Sequence, residues 1–308
     1  MKKVRFPWTL RGSDFSQAGW HSEPTAAYQL MFEFLRLSPS YELARKARTS
    51  GLSAAEKVAV PSDFEQVLAT YDLIGDVNCA LFRQWWLQKG LTVFGNPYTK
   101  PKLREITVLQ GGEETHVSAI ARKLQLGLVE QRQIEGLSAT LLVSVPLDLK
   151  RTEIMRKFRE LLDQYKDKDL GMTDQSKIKL MGKRFHANAM FKGLKLLWFK
   201  AAKPKWELWR LGAKSELSES YSKVLNPAAP RRTTVAVEMD DRIIMSKITF
   251  RALHRFESIV ENAARGKFPC DAPVDQLEFD YAEISQRLLA HARWVKKYKS
   301  DWAKKAIK

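Results

Sequence analysis

Cations and aromatics, not nucleophiles, are the groups this sequence sets out in patterns. Over 241–265, at 100° per residue, Lys247, Arg251, His254, Ser258 and Arg265 stack along one edge of a helix, with Arg255 beside them. Ile244, Ile248, Ala252, Phe256, Ile259 and Ala263 span the other arc. Fixed cations, an imidazole and a hydroxyl in a row suit a phosphate backbone, and an arginine on such a helix can read guanine through two parallel hydrogen bonds. Glu257 and Glu261 lie off the row. The plainer alternative is a solvated face of an amphipathic helix.

Two stretches have the pattern of a helix-turn-helix. One is 206–221, with two short helices around Gly212 and the 241–265 helix as a third element. Between them, 231–238 would form a wing whose Arg231 and Arg232 sit near a groove or a phosphate. The other is 117–127, where Ile120, Ala121, Leu124 and Gly127 echo the spacing of a first helix and its turn. Helical pairs around a glycine occur in any bundle, so neither pattern is specific.

A third group interleaves rings with cations. Trp198, Trp206 and Trp209 lie among Lys195, Lys200, Lys203 and Lys205, the composition used to stack bases while holding phosphates. Arg184, Lys192 and Lys195 form the polar arc of helix 184–202. Trp198 falls on its apolar arc, and Trp198 and Trp209 are expected in the core, with Trp206 divided between core and surface. The end of the chain adds Arg293, Lys296, Lys297, Lys299, Lys304 and Lys305, a run that gives sequence-independent, salt-sensitive affinity or is merely solvated.

Catalytic patterns are missing. No phosphate-cradling Gly-rich loop ends in Gly-Lys-Ser/Thr, no Gly-x-Ser-x-Gly elbow occurs, and the five histidines are scattered. Glu113-Glu114, Asp240-Asp241 and Glu278/Asp280 are acidic pairs that could hold magnesium if folding gathered them. A metal-dependent nuclease is therefore the third reading. No cofactor and no metal is expected.

The 308 residues suit two domains, and 44% hydrophobic content supports a substantial core. The two cysteines, Cys79 and Cys270, do not make a disulfide scaffold. The longest apolar run, 137–147, is too short to span a bilayer. No signal core follows the basic start, so a cytoplasmic location and no membrane partner are expected.

Charge divides the chain. Residues 1–150 carry 18 Lys and Arg against 15 Asp and Glu; residues 151–308 carry 34 against 20. The expected fold is α+β and predominantly helical. Residues 1–148 form a near-neutral domain with a small sheet from 104–109 and 139–147, offering a surface to a protein partner. Residues 150–308 form a basic helical domain with a helix-turn-helix or winged element, its strand at 232–239. The expected function is non-enzymatic nucleic-acid binding, duplex DNA first, as a subunit of a nucleoprotein complex in gene regulation, replication, a mobile element or defence; RNA or single strands come second.

Overall fold

The computed structural model describes residues 15, 17–95, 103, 105–110, 117–131, 139–166, 168, 176–181, 185–232, 234–275 and 278–306. Every regular element among them is a helix, and no strand is present.

The first helix, α1 (Ala26–Leu35), is buried at every position except Glu33. A helix apolar all round belongs at the centre of a bundle. α2 (Pro39–Thr49) starts at Ser38, whose hydroxyl accepts from the Tyr41 N–H at 3.0 Å, with Pro39 preset for the first turn. α3 (Ala54–Ala59) opens with a Ser53/Glu56 capping box. α4 (Phe64–Ile74) ends at Gly75, whose φ of 79° lets the chain turn away. α5 (Phe82–Trp85) runs through a π-helical turn, Trp86–Gly90, into α6 (Leu91–Phe94). This helix begins later and continues further than the expected 76–89.

α7 (Val117–Gln125) and α8 (Arg151–Asp163) follow, then α9 (Ala187–Ala202), α10 (Leu208–Ser215), α11 (Glu219–Val224), α12 (Ala236–Ala264) and α13 (Tyr281–Ala306). The chain divides into two units. One comprises Met1–Phe94 with Lys177–Lys308, and the other Gly95–Ser176. The expected boundary near 149 falls inside the second unit, because α1 packs on α9 and α12, and α2 on α12. Entry to and exit from the second unit lie side by side: the Ile178 N–H donates to the Val93 carbonyl at 3.2 Å.

The first unit holds the core, from Phe32, Phe34 and Tyr41 through Trp198 and Phe199 to Phe256 and Phe268. α9 and α12 cross closely at Gly193, where an added Cβ would lie 2.1 Å from the Phe256 ring. Ile284 and Leu288 attach the start of α13.

In the second unit, no described hydrophobic side chain is buried. The expected small sheet is not formed. Residues 105–110 and 139–147 carry no ladder, and Val108, Leu109, Leu142, Val145 and Leu147 are exposed. Alternating or continuous apolar residues show only that a segment could be covered; a strand also needs a neighbouring backbone. The expected strand at 232–239, and with it the wing, is replaced by the first turn of α12. There Glu238 pairs with the buried Arg242 four residues on, at 2.5 Å. Glu238 places negative charge in the first turn of the helix, where it is favoured.

A buried polar hub ties α12 to the N-terminal helices. The Glu261 carboxylate, fully buried, accepts from the Ser38 hydroxyl (2.6 Å), the Ser40 hydroxyl and backbone N–H, and Arg265 (3.1 Å). Arg265 also donates twice to Asp63 (2.6 and 2.7 Å) and once to the Asp275 carbonyl (2.6 Å). Its hydrogen bonds hold the Asp63 carboxyl below its ordinary range.

Candidate nucleic-acid interface

α10 lies against α12 at very short range. A Cβ added to Gly212 would stand 2.0 Å from Thr249 Oγ1 and 2.9 Å from Met245 Sδ, so only glycine admits this crossing. α10 stops at Glu216, with φ 58° and ψ 42°. The Glu216 N–H donates to Ala213 O and the Leu217 N–H to Gly212 O, both at 3.2 Å, which closes the helix end with a left-handed residue. After Ser218 the chain re-enters a helix, α11. The result is a helix, a three-residue turn and a second helix, backed by α12.

A side chain at a left-handed position costs roughly 1–2 kcal/mol. Here the Glu216 carboxylate accepts from Lys195 Nζ of α9 at 2.7 Å. That bond, with Lys192 and Lys214 nearby, pulls the Glu216 carboxyl below its ordinary range. The turn is thus pinned to α9 by an ion pair whose lysine is buried and whose glutamate is exposed.

A second small core holds α11 in place. Trp209, Ala213, Leu225 and Met245 are buried together, with Tyr221 and Ala229 packed on them. The guanidiniums of Arg242 and Arg210 lie over the Trp209 ring at 4.2 and 4.6 Å from its centroid. Glu207 gathers the near end: its carboxylate accepts from Trp209 Nε1 (3.1 Å), Arg210 (2.9 Å) and Arg231 (3.1 Å). Burial works to raise the Glu207 carboxyl, and Arg210 and Arg231 overcome it and hold it low. Arg210 donates to Pro227 O at 2.8 Å and Arg242 to Arg231 O at 2.9 Å. The 226–232 connection is therefore fastened to both helices, and it presents Arg232 to solvent.

The structure separates the sequence candidates into distinct places. Lys192 and Lys195 of α9 meet the turn, but Lys195 is buried and neutralised by Glu216. Arg231 and Arg232 stand at the other end of α10. Lys203, Lys205 and the half-buried Trp206 sit beyond the end of α9, with Trp206 packed on the main core. Trp198 and Trp209 are buried, as their spacing implies.

Lys247, Arg251, His254 and Arg255 are exposed on α12, and Arg255 pairs with Asp271 at 2.8 Å. This row faces away from α10, since α10 meets the Met245 and Thr249 side of the helix. Ile244, expected inside, is exposed. Arg265 does not join the row: it is 2% exposed and held by Asp63 and Glu261. Lys296 and Lys297 are exposed on α13, close to where Tyr298 bonds Gln84. Arg184 lies outside the described residues.

Glu207, Arg210, Glu216 and Arg242 were not singled out from the sequence. The i, i+3 spacing of Glu207 and Arg210 could have flagged the first two. Glu216 gives no signal, because it occupies a position where glycine is the usual mark. Among the described residues, no three His, Cys, Asp or Glu side chains gather as metal ligands, and no helix is long and apolar enough to cross a membrane.

No family model, curated protein or solved structure matches the chain.

Proposed function

We propose that the α10–turn–α11 pair docks on nucleic acid, with duplex DNA as the ligand, and that the protein is a binding module of a nucleoprotein complex. The observation that carries this reading is the short helix pair, closed by a left-handed turn and backed by α12, in the unit that holds the charge. That unit has 39 Lys and Arg against 23 Asp and Glu, while residues 95–176 have 13 against 12. Cations stand at both ends of α10, Lys192 and Lys214 at the turn and Arg231 and Arg232 at the Glu207 end. Ser220 and Lys223 are exposed on α11. Such cations position a protein on phosphates, while a helix surface enters the groove. Burial of Trp198 and Trp209 removes two of the three rings a single-strand platform would use, which favours duplex over single-stranded ligands.

The test is fluorescence anisotropy with duplex DNA, single-stranded DNA and structured RNA across a salt series. Duplex binding should weaken linearly with log salt. Lys192→Ala and Arg232→Ala should each lower the slope by about one. Absence of salt-dependent binding, or a slope that neither variant lowers, overturns the proposal.

A further inference from the structure

The outward face of α12 is exposed and mixed in character. Val237 is 71% exposed, Met239 48%, Ile243 50%, Ile244 38% and Phe250 54%, and Phe250 lies edge-on to His254 at 4.5 Å. At 3.6 residues per turn, Met239, Ile243 and Phe250 fall within about 40° of one another, forming an apolar stripe. Asp240, Lys247 and Arg251 form a second stripe of about the same width beside it. All three are exposed, and none makes an ion pair among the described residues. This is not a phosphate surface: five apolar side chains interrupt the cations, and Asp240 stands in their row.

We infer that this face joins a second copy of the chain, with the two α12 helices antiparallel about a two-fold axis crossing near Ile244 and Met245. The register follows from the spacing. In an antiparallel pair, residues equidistant from the axis on opposite sides face each other. Met239 and Phe250 have their midpoint between Ile244 and Met245. Asp240 has two counterparts, Lys247 and Arg251, whose midpoints with it fall one residue to either side of that point. One axis therefore sets Met239 against the second copy's Phe250, places Ile243 at the centre, and brings Asp240 between the second copy's Lys247 and Arg251. Self-complementarity of this kind is what a two-fold interface requires. The apolar stripe supplies burial, and the charged stripe fixes orientation, since a parallel pair would set like charges together.

Sedimentation velocity without nucleic acid, from about 1 to about 100 µM, tests this separately from the binding proposal. The species should move from 35.4 kDa toward twice that mass as concentration rises. Ile243→Glu or Phe250→Glu should weaken association at least about tenfold. Circular dichroism melting should be unchanged at a concentration where both proteins are monomeric, because both residues are half-exposed. Asp240→Arg should weaken association, and adding Lys247→Asp and Arg251→Asp to the same chain should restore it. A single 35.4 kDa species throughout, or a dimer indifferent to Ile243→Glu, overturns the inference. So does a triple variant no tighter than Asp240→Arg alone.

Discussion

Arg265 shows what a cation does once a fold closes around it. Its guanidinium joins Asp63, Glu261 and the Asp275 carbonyl inside the protein. Arg265→Met should leave the fully buried Glu261 without its cation and cost about 3–5 kcal/mol, read as a fall in Tm. Lys195→Met should cost less, because its partner Glu216 is 64% exposed and can turn to water.

A pH effect belongs to this scale as well. Burial, with Arg36 nearby, pushes the His291 imidazole down to about 4, and its Nδ1 donates to the Asn78 carbonyl at 2.6 Å. The folded state thus holds His291 neutral while the unfolded chain protonates near its ordinary 6.5. Its contribution is complete above that pH and is lost progressively as pH falls towards 4. Below about 4.5 the depressed carboxyls, Asp63 and Glu216 among them, begin to lose theirs. His291→Gln should flatten the denaturation midpoint between pH 6.5 and 4.5 and leave the more acidic limb intact.

At the scale of elements, helix crossings set by missing side chains are the features most open to test. Gly212→Ala should push α10 from α12 and cost about 1–3 kcal/mol. The same change should weaken duplex binding more than its stability loss explains, because the turn moves with α10. Anisotropy at a temperature where the variant stays folded would show this.

Much of the helical content was legible in the sequence. Apolar residues at three- and four-residue spacing mark α1, α4, α8, α9 and α13. The long helix was recognised too, though it starts five residues before the expected 241. The expected strands do not form because β-branched runs, as in 139–147 and 233–237, report only a local preference that tertiary contacts override.

The candidate site was legible in part, and the failures share one cause. A helical wheel assumes one buried side along the whole helix. In α9, every residue from Gly193 to Phe199 is buried, and so is every residue from Ile259 of α12 through its C-cap, Arg265. Lys195 and Arg265 lie in those stretches, so their angular positions could not separate them from the half-buried Lys192 and the exposed Lys247. The turn lies at 216–218 and not at Gly212, because that glycine serves a crossing and not a chain reversal.

At the scale of the molecule, the core is assembled from the two ends of the chain, and the intervening 95–176 segment leaves and returns at adjacent points. Replacing 96–176 with a short Gly-Ser linker should therefore leave a cooperatively melting protein with a Tm changed by no more than a few degrees. It should also retain its salt-dependent duplex binding, because the removed segment is nearly neutral. Calorimetry and anisotropy on the shortened chain check both expectations.

The same split core bears on how the polypeptide is made. α1 is buried at nearly every position, and two of the helices that cover it, α9 and α12, are the last but a few to be synthesised. At ordinary elongation rates, roughly ten to fifty seconds separate the emergence of α1 from that of α12. For that interval each ribosome carries a water-averse helix whose only early cover is the nearby segment 39–94, with Tyr28 and Phe32 against Phe82, Trp85, Trp86 and Phe94, and on a crowded message neighbouring nascent chains present identical ones. Yield during expression should consequently respond to trigger-type holdases and to slower initiation more strongly than the stability of the finished fold would suggest.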